Sequence, residues 1–252
     1  MIVAVIQARM GSSRLPGKVL LPILGQPLTW RIYERLSAST KIDKVVIATT
    51  TEKSDDALAA FAKERNIGIY RGPVDDIVAR IYGAGEAFGA TRLLRIWGDC
   101  PFVDTTCIDE GLQYSITEGY DLVRTSTPKV SFIPGGLDFE IYKMSLLKDF
   151  LDKEKDPFYR EFPADYVFKN QDIYNIKVVS YLSEFKDFHL TVDYAEDLAL
   201  TRDIYENLYP KNNNFSFRAV INYLIKNPKK LEGIKALGRN IEYFEKAAAK
   251  EV

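Results

Sequence analysis

Hydrophobic positions along the first half of this 252-residue chain follow two alternating rhythms. Short apolar runs rich in β-branched residues lie at Ile2 to Ile6, Val45 to Ala48, Ile67 to Tyr70 and Leu93 to Trp97, and they read as buried strands. Amphipathic stretches separate them at Pro27 to Ser37, Asp55 to Arg65 and Asp75 to Phe88. Pro27 suits the first turn of one helix, and Ser54 suits the N-cap of the next. Strand, helix, strand at this spacing predicts right-handed crossovers and a parallel sheet covered by helices on both faces, an α/β fold.

The second half is less regular. Pro128, Pro134, Gly135 and Gly136 interrupt β-forming residues between 124 and 142, which predicts a loop and a hairpin. Residues 143–170 have a helical pattern broken near Pro157 and Pro163. Late strands are expected at Tyr174 to Tyr181 and His189 to Val192. Helices are expected at Asp197 to Leu208, at Phe215 to Lys226 and in the lysine- and alanine-rich tail. No repeat, low-complexity linker or composition break divides the chain. One domain over residues 1–252 is therefore expected, with a mid-chain excursion at about 124–182.

Composition narrows the function without naming it. Apolar residues make up 46% and charged residues 27%, ordinary for a globular protein. The formal net charge of -1 disfavours a nucleic-acid partner while leaving room for a local cationic pocket. No stretch approaches the roughly 20 apolar residues that span a bilayer, so no membrane partner is expected. The first residues lack the basic region and cleavage site of a signal peptide. With Cys100 and Cys107 as the only cysteines, a reducing cytoplasm fits best. The single histidine, His189, leaves too few ligands for a zinc site and disfavours a hydrolytic triad. Carboxylates, arginines and lysines must do the chemistry.

Those groups concentrate in one place. Residues 9–18, Arg-Met-Gly-Ser-Ser-Arg-Leu-Pro-Gly-Lys, follow the first strand and contain three cations, two glycines, two serines and no acid. A loop of this kind at the C-terminal end of a parallel strand is suited to phosphate, which backbone amides and Arg9, Arg14 and Lys18 would neutralise. It is not a Walker loop: five residues separate Gly11 from Gly17, and Val19 replaces the hydroxyl residue after the lysine. Any metal must therefore be held elsewhere. Gly83, Gly85 and Gly89 have the wrong spacing and position for a dinucleotide fingerprint and read as helix-packing or helix-ending glycines. Asp99, after the strand Leu93 to Trp97, and Asp193, after His189 to Val192, are candidate Mg²⁺ ligands, since Mg²⁺ takes one or two carboxylates and completes its shell with phosphate and water. The alternatives are a turn residue at Asp99 and a helix N-cap at Asp193.

The stretch Ile6-Gln-Ala-Arg-Met-Gly-Ser-Ser-Arg-Leu-Pro-Gly-Lys18 closely resembles the opening signature of the cytidylyltransferases that activate acidic sugars, the CMP-Kdo and CMP-acylneuraminate synthetases, and most closely their spore-coat polysaccharide (SpsF-type) branch. Val45 to Thr50, Asp75 to Arg80, Gly98 to Pro101, Gly136 to Glu140 and Thr191 to Leu198 match further motifs in the same order. The resemblance implies a three-layer α/β/α sandwich with a Rossmann-like, mixed but mostly parallel sheet, of the nucleotide-diphospho-sugar transferase type. It implies CTP and a small-molecule acceptor as substrates, Mg²⁺ as cofactor, and a homodimer formed through the mid-chain excursion. Carried over by position, Arg9, Arg14 and Lys18 are triphosphate ligands, Ala8, Gly11, Ser12, Ser13 and Arg80 complete the nucleotide site, and Asp99 and Asp193 hold the metal. Lys18, Arg9 and Asp99 would carry catalysis, and Arg95, Asp138, Glu140 and Arg160 would line the acceptor pocket. One departure concerns the acceptor: Arg160-Glu161 is followed by Phe162-Pro163 where SpsF-type chains commonly have His-Val. His189 remains unassigned, with packing as its ordinary role.

The reaction implied is transfer of CMP from CTP to an acidic sugar or a phosphate or phosphonate acceptor, with release of pyrophosphate, in surface-polysaccharide or glycan precursor synthesis. Rival readings are a GTP- or UTP-dependent nucleotidyltransferase acting on a sugar 1-phosphate, a glycosyltransferase of related fold, and a non-catalytic nucleotide-binding protein. A glycosyltransferase would usually carry Asp-x-Asp after a central strand, and Gly98-Asp-Cys-Pro101 supplies only the first acid.

Overall fold

The computed structural model describes residues 1–128 and 130–230. In chain order it contains β1 (Ile2–Gln7), a small antiparallel pair β2 (Pro22–Ile23) and β3 (Gln26–Pro27), α1 (Leu28–Leu36), β4 (Lys44–Thr50), α2 (Asp56–Glu64), β5 (Gly68–Gly72), α3 (Ile77–Ala87), β6 (Arg92–Trp97) and α4 (Thr105–Gln113). Then follow β7 (Leu122–Arg124), β8 (Glu140–Lys143), α5 (Met144–Lys153), α6 (Pro157–Glu161), α7 (Pro163–Lys169), β9 (Ile176–Val178), α8 (Ala195–Leu208) and α9 (Phe217–Lys226). The lysine- and alanine-rich tail expected to be helical lies outside the described residues.

Seven strands form one sheet in the order β5-β4-β1-β6-β8-β7-β9. All neighbouring pairs are parallel except those of β8, which runs antiparallel to both β6 and β7. Side chains alternate across the sheet as strand geometry requires. Ile2, Ala4 and Ile6 of β1 pack with α1, α2, α4, α8 and α9, while Val3 and Val5 pack with α3, α5, α6 and α7. The result is the expected three-layer sandwich with a mixed, mostly parallel sheet. Parallel strands buried on both faces read as unbroken apolar runs, which is why β1, β4 and β6 were visible in the sequence; β5, at the edge of the sheet, is mostly half-buried.

Local differences have physical causes. Ser54 lies in a 3₁₀ turn (Lys53–Asp55), and Asp55 takes the N-cap position of α2. The Asp55 carboxylate turns away from the helix to accept from the Met10 and Thr50 amides, at 2.7 and 3.0 Å, and from the Thr50 hydroxyl. Residues 189–192 form no strand: only His189 bridges to Gly135, because the segment runs between that glycine and the Asp99 turn. Gly83 and Gly85 sit on α3, where side-chain carbons would strike Tyr70 and Met144, and Gly89 follows the helix at φ +69. The packing role expected of these glycines holds. No helix among the described residues is long and apolar enough to cross a membrane. Both cysteines are buried free thiols.

Asp55 ties the end of β4 to the loop after β1. Burial raises its carboxyl, but hydrogen bonds led by those from Thr50 and Met10 outweigh this and hold it below the usual range. Asp55→Asn replaces an acceptor with an amide donor facing two N–H groups. It should cost about 2 kcal/mol in urea unfolding of the full chain.

Candidate active site

The loop after β1 is shaped by its backbone. Ala8 N–H donates to Ala48 C=O at 3.1 Å, Met10 N–H to Asp55, and the Ser12 and Gly17 amides to Met10 C=O at 2.9 Å. Arg9, Gly11, Ser13 and Arg14 are exposed on this loop, and Ser12 is half-buried. No hydrogen bond or ion pair occupies Arg9 among the described residues.

Lys18, on the turn that ends the loop, is nearly buried and spends its ammonium on three oxygens. It donates to Val192 C=O at 2.7 Å, Asp99 Oδ2 at 2.9 Å and Asp193 Oδ1 at 3.1 Å. Arg14 also binds Asp193 Oδ1, at 2.7 Å, and the Thr191 hydroxyl donates to Asp193 Oδ2 at 2.8 Å. Burial disfavours the Lys18 charge, yet Asp99 and Asp193 more than compensate and raise its pKa. Asp193 shows the mirror effect: burial pushes it up, and Lys18, Thr191 and Arg14 bring it below the ordinary carboxylate range. Asp193 does not cap α8. That task falls to Asp197, which accepts from the Asp193 and Tyr194 amides at 3.0 Å.

Backbone contacts bring the two acids together. Gly98 N–H donates to Gln7 C=O at 2.9 Å, and a Cβ at Gly98 would lie 2.8 Å from that oxygen and from the Ala8 Cβ. The missing side chain lets the β6 turn press against the start of the loop. Val192 N–H then donates to Asp99 C=O at 2.8 Å, fixing the Asp193 segment beside Asp99.

An open cavity of about 280 Å³ extends from these acids. One wall is a line of alternating charge made by strand register. Glu140 on β8 faces Arg95 on β6 and Arg124 on β7. Arg95 donates to Glu140 Oε2 and to Gln7 Oε1, both at 2.9 Å, with its guanidinium over the Trp97 ring at 4.6 Å. Arg124 lies 3.7 Å from Glu140 and 3.3 Å from Asp165, and the Tyr142 hydroxyl donates to Glu140 at 2.7 Å. Asp138 also lines the cavity and accepts from Gly136 N–H at 3.1 Å. Burial pushes its carboxyl up to about 6, against the opposing pull of the Gly136 amide and Arg124.

Arg14, Arg95, Asp99, Asp138, Glu140 and Asp193 thus converge on one cavity. Lys18, the loop residues Ala8, Arg9, Gly11, Ser12 and Ser13, and also Arg80 and Arg160 fall outside its lining. Arg160 pairs with Asp76 at 3.1 Å and ties α6 to the start of α3, while Phe162, Ala164 and Asp165 supply that wall. Arg80 is buried, donates to the Pro73 and Val74 carbonyls, and has its pKa pushed down to about 10 by burial and by the nearby charges of Arg9 and Arg95. Sequence reasoning missed Trp97, Arg124, Ser126, Asp165, His189 and Thr191 as lining residues. Only Thr191 and His189 had a readable signal, since they alternate with Asp193 at strand spacing.

A cation-rich loop at the edge of a mostly parallel sheet, paired carboxylates beside it and a polar cavity beyond them define a nucleotidyltransferase. The chain belongs to the cytidylyltransferase family, whose sequence model matches residues 3–250. It is 28% identical to the spore coat polysaccharide biosynthesis protein SpsF of Bacillus subtilis, over 90% of this chain and 95% of that one. A 3-deoxy-manno-octulosonate cytidylyltransferase of Geobacter metallireducens is 29% identical over 63% of this chain and 59% of its own. Among solved structures, a cytidylyltransferase from Leptospira borgpetersenii superposes with a TM-score of 0.84 at 27% identity, covering 94% of this chain and 98% of that one.

Removing the Lys18 charge should expose the repulsion it suppresses. Lys18→Met leaves two adjacent carboxylates and should cost about 3 kcal/mol near neutrality in thermal or urea unfolding. In the native chain the depressed Asp193 pKa contributes stability above the unfolded carboxylate pKa and loses it as pH falls. Without Lys18, only Thr191 and Arg14 oppose the burial of Asp193, so this contribution shrinks and the stability gap between the native chain and Lys18→Met should narrow as pH falls into the acid range.

Proposed function

We propose that this protein is a divalent-metal-dependent cytidylyltransferase that moves CMP from CTP to an acidic sugar and releases pyrophosphate. The observation that carries this reading is the meeting of Asp99 and Asp193 around one cation, the Lys18 ammonium, beside an exposed cationic loop. Membership of the family supports the nucleotide, and the resemblance to SpsF and to an octulosonate cytidylyltransferase supports the acceptor class.

The residues fit a metal. Two oxygens on separate carboxylates already lie within 3.1 Å of one positive charge, and the oxygens still needed would come from phosphate and water, as Mg²⁺ prefers. Asp99 and Asp193 would hold it, and when bound it would supply Lewis-acid polarisation of the α-phosphate.

The rest of the work belongs to the chain. Arg9, Arg14 and the loop amides bind the triphosphate and stabilise the charge that builds on the leaving pyrophosphate. An acceptor oxygen in the cavity attacks the α-phosphorus in line. The new P–O bond forms as the bond to the α–β bridging oxygen breaks, and pyrophosphate leaves with that electron pair. A hydroxyl acceptor must also lose its proton. Asp99 is tied to Lys18, whereas Asp138 lies in the cavity wall with its carboxyl near 6, suited to accept that proton at neutral pH.

Asp99→Asn should reduce pyrophosphate release from CTP and an acidic-sugar panel by at least about hundredfold in a chain that still folds by circular dichroism; near-normal release would remove Asp99 from the reaction. With Asp138 as base, the native enzyme should lose activity as pH falls through about 6, because protonation removes the acceptor of the proton. Asp138→Asn should lower kcat by about a hundredfold and abolish that acidic limb. An unchanged pH–rate profile in this variant would assign the proton elsewhere.

A further inference from the structure

Residues 189–192 approach the cavity with alternating burial. Leu190 and Val192 are buried in the core, whereas His189, Thr191 and Asp193 all line the cavity. The three therefore share one face of a strand-like segment. Asp193 marks the end nearest the phosphate loop, through its 2.7 Å contact with Arg14. At the rise of an extended chain, His189 lies about 13 Å farther along, away from that loop.

The position of the imidazole is built by a second segment. Gly135 N–H donates to Phe188 C=O at 2.8 Å, and Leu190 N–H donates to Gly135 C=O at 2.9 Å, clamping the backbone on both sides of His189. A Cβ at residue 135 would lie 2.6 Å from His189 Nδ1, so the glycine leaves the space the ring occupies. Packing alone would account for a histidine turned into the core. This ring is half-buried on the cavity wall, while the next residue, Leu190, fills the core.

From this placement we infer that His189 is a specificity-determining residue that reads the end of the acceptor farthest from the reacting oxygen. A ring nitrogen on the cavity wall can donate to or accept from a sugar hydroxyl according to its tautomer, the chemistry that sugar recognition needs. A sugar ring whose reacting oxygen sits at the Asp193 end covers only part of the distance to His189. A carbon tail beyond the ring covers more of it, so His189 favours long sugar acids over six-carbon ones. This inference rests on the cytidylyltransferase reading for the direction in which the acceptor lies.

Because His189 is the only histidine, its ring gives a single resonance in the ¹³C-histidine-labelled protein. The protein is titrated with 3-deoxy-manno-octulosonate, and separately with a six-carbon 2-keto-3-deoxy sugar acid, in the presence of CTP with metal chelated. The eight-carbon acid should move the resonance and the six-carbon acid should move it less, while CTP alone leaves it in place. In steady-state assays His189→Ala should raise the acceptor KM about tenfold, with kcat and the CTP KM within about twofold. His189→Asn should recover part of the loss, since an amide also donates and accepts. Gly135→Ala should give the same acceptor-specific change with the histidine intact. A resonance that neither sugar acid moves, or a lower melting temperature in His189→Ala with an unchanged acceptor KM, overturns the inference. Pyrophosphate release by the native protein tests the cytidylyltransferase reading separately. Release with an unmoved resonance defeats only the His189 assignment; absence of release with every acceptor defeats the cytidylyltransferase reading and, with it, the acceptor role drawn from that reading.

Discussion

The architecture of the site turns on one buried ammonium. Lys18 satisfies its three N–H groups on Asp99, Asp193 and the Val192 carbonyl, and in doing so joins parts of the chain separated by 81 and 175 residues. Without a positive charge there, two carboxylates and a carbonyl would face one another in a poorly solvated space. The loop after β1, the turn after β6 and the segment before α8 are each held by their own backbone contacts. The ammonium makes their convergence favourable. It also draws a boundary between the exposed cationic loop on one side and the polar cavity on the other.

The fold and the loop after β1 were legible for related reasons. Parallel strands leave continuous apolar runs, and this loop has a local composition of glycines and cations, so both signals lie within a few consecutive residues. The strand-end acids Asp99 and Asp193 could be read the same way. Glu140 between Arg95 and Arg124 could not, because that arrangement exists only once β8 is inserted antiparallel between β6 and β7 in one register. Asp165 and Ser126 depend on the same tertiary placement. Arg160 shows the converse: a charged residue in the expected region whose partner, Asp76, draws it away from the cavity. Ser54 looked like a helix cap by residue type, but Asp55 holds that position while directing its carboxylate toward Met10.

The two halves of the site are built with different tolerance for change. The loop side is formed by short connections after β1 and β6 and by close approaches such as Gly98 on Ala8, where an added carbon meets backbone. The cavity side draws on Thr125 to Glu140 and on residues near the start of α7, reached by longer connections. Charge there is distributed in compensated pairs rather than left as a uniform field.

The segment from residue 125 to 139 leaves the sheet at β7 and returns to it at the adjacent β8, so both its ends are anchored to neighbouring rungs of one ladder. Closing a loop between fixed posts is inexpensive to vary: doubling its length adds only about 0.6 kcal/mol of entropic cost. Changes of length near the exposed Val130, ahead of the buried Ile133 and the clamped Gly135, leave β7 and β8 paired and Glu140 opposite both arginines. This cavity wall is in that sense an exchangeable panel on a rigid frame, and the shape of the cavity can change with loop length alone while the frame of β1, β6 and the loop after β1 remains as it is.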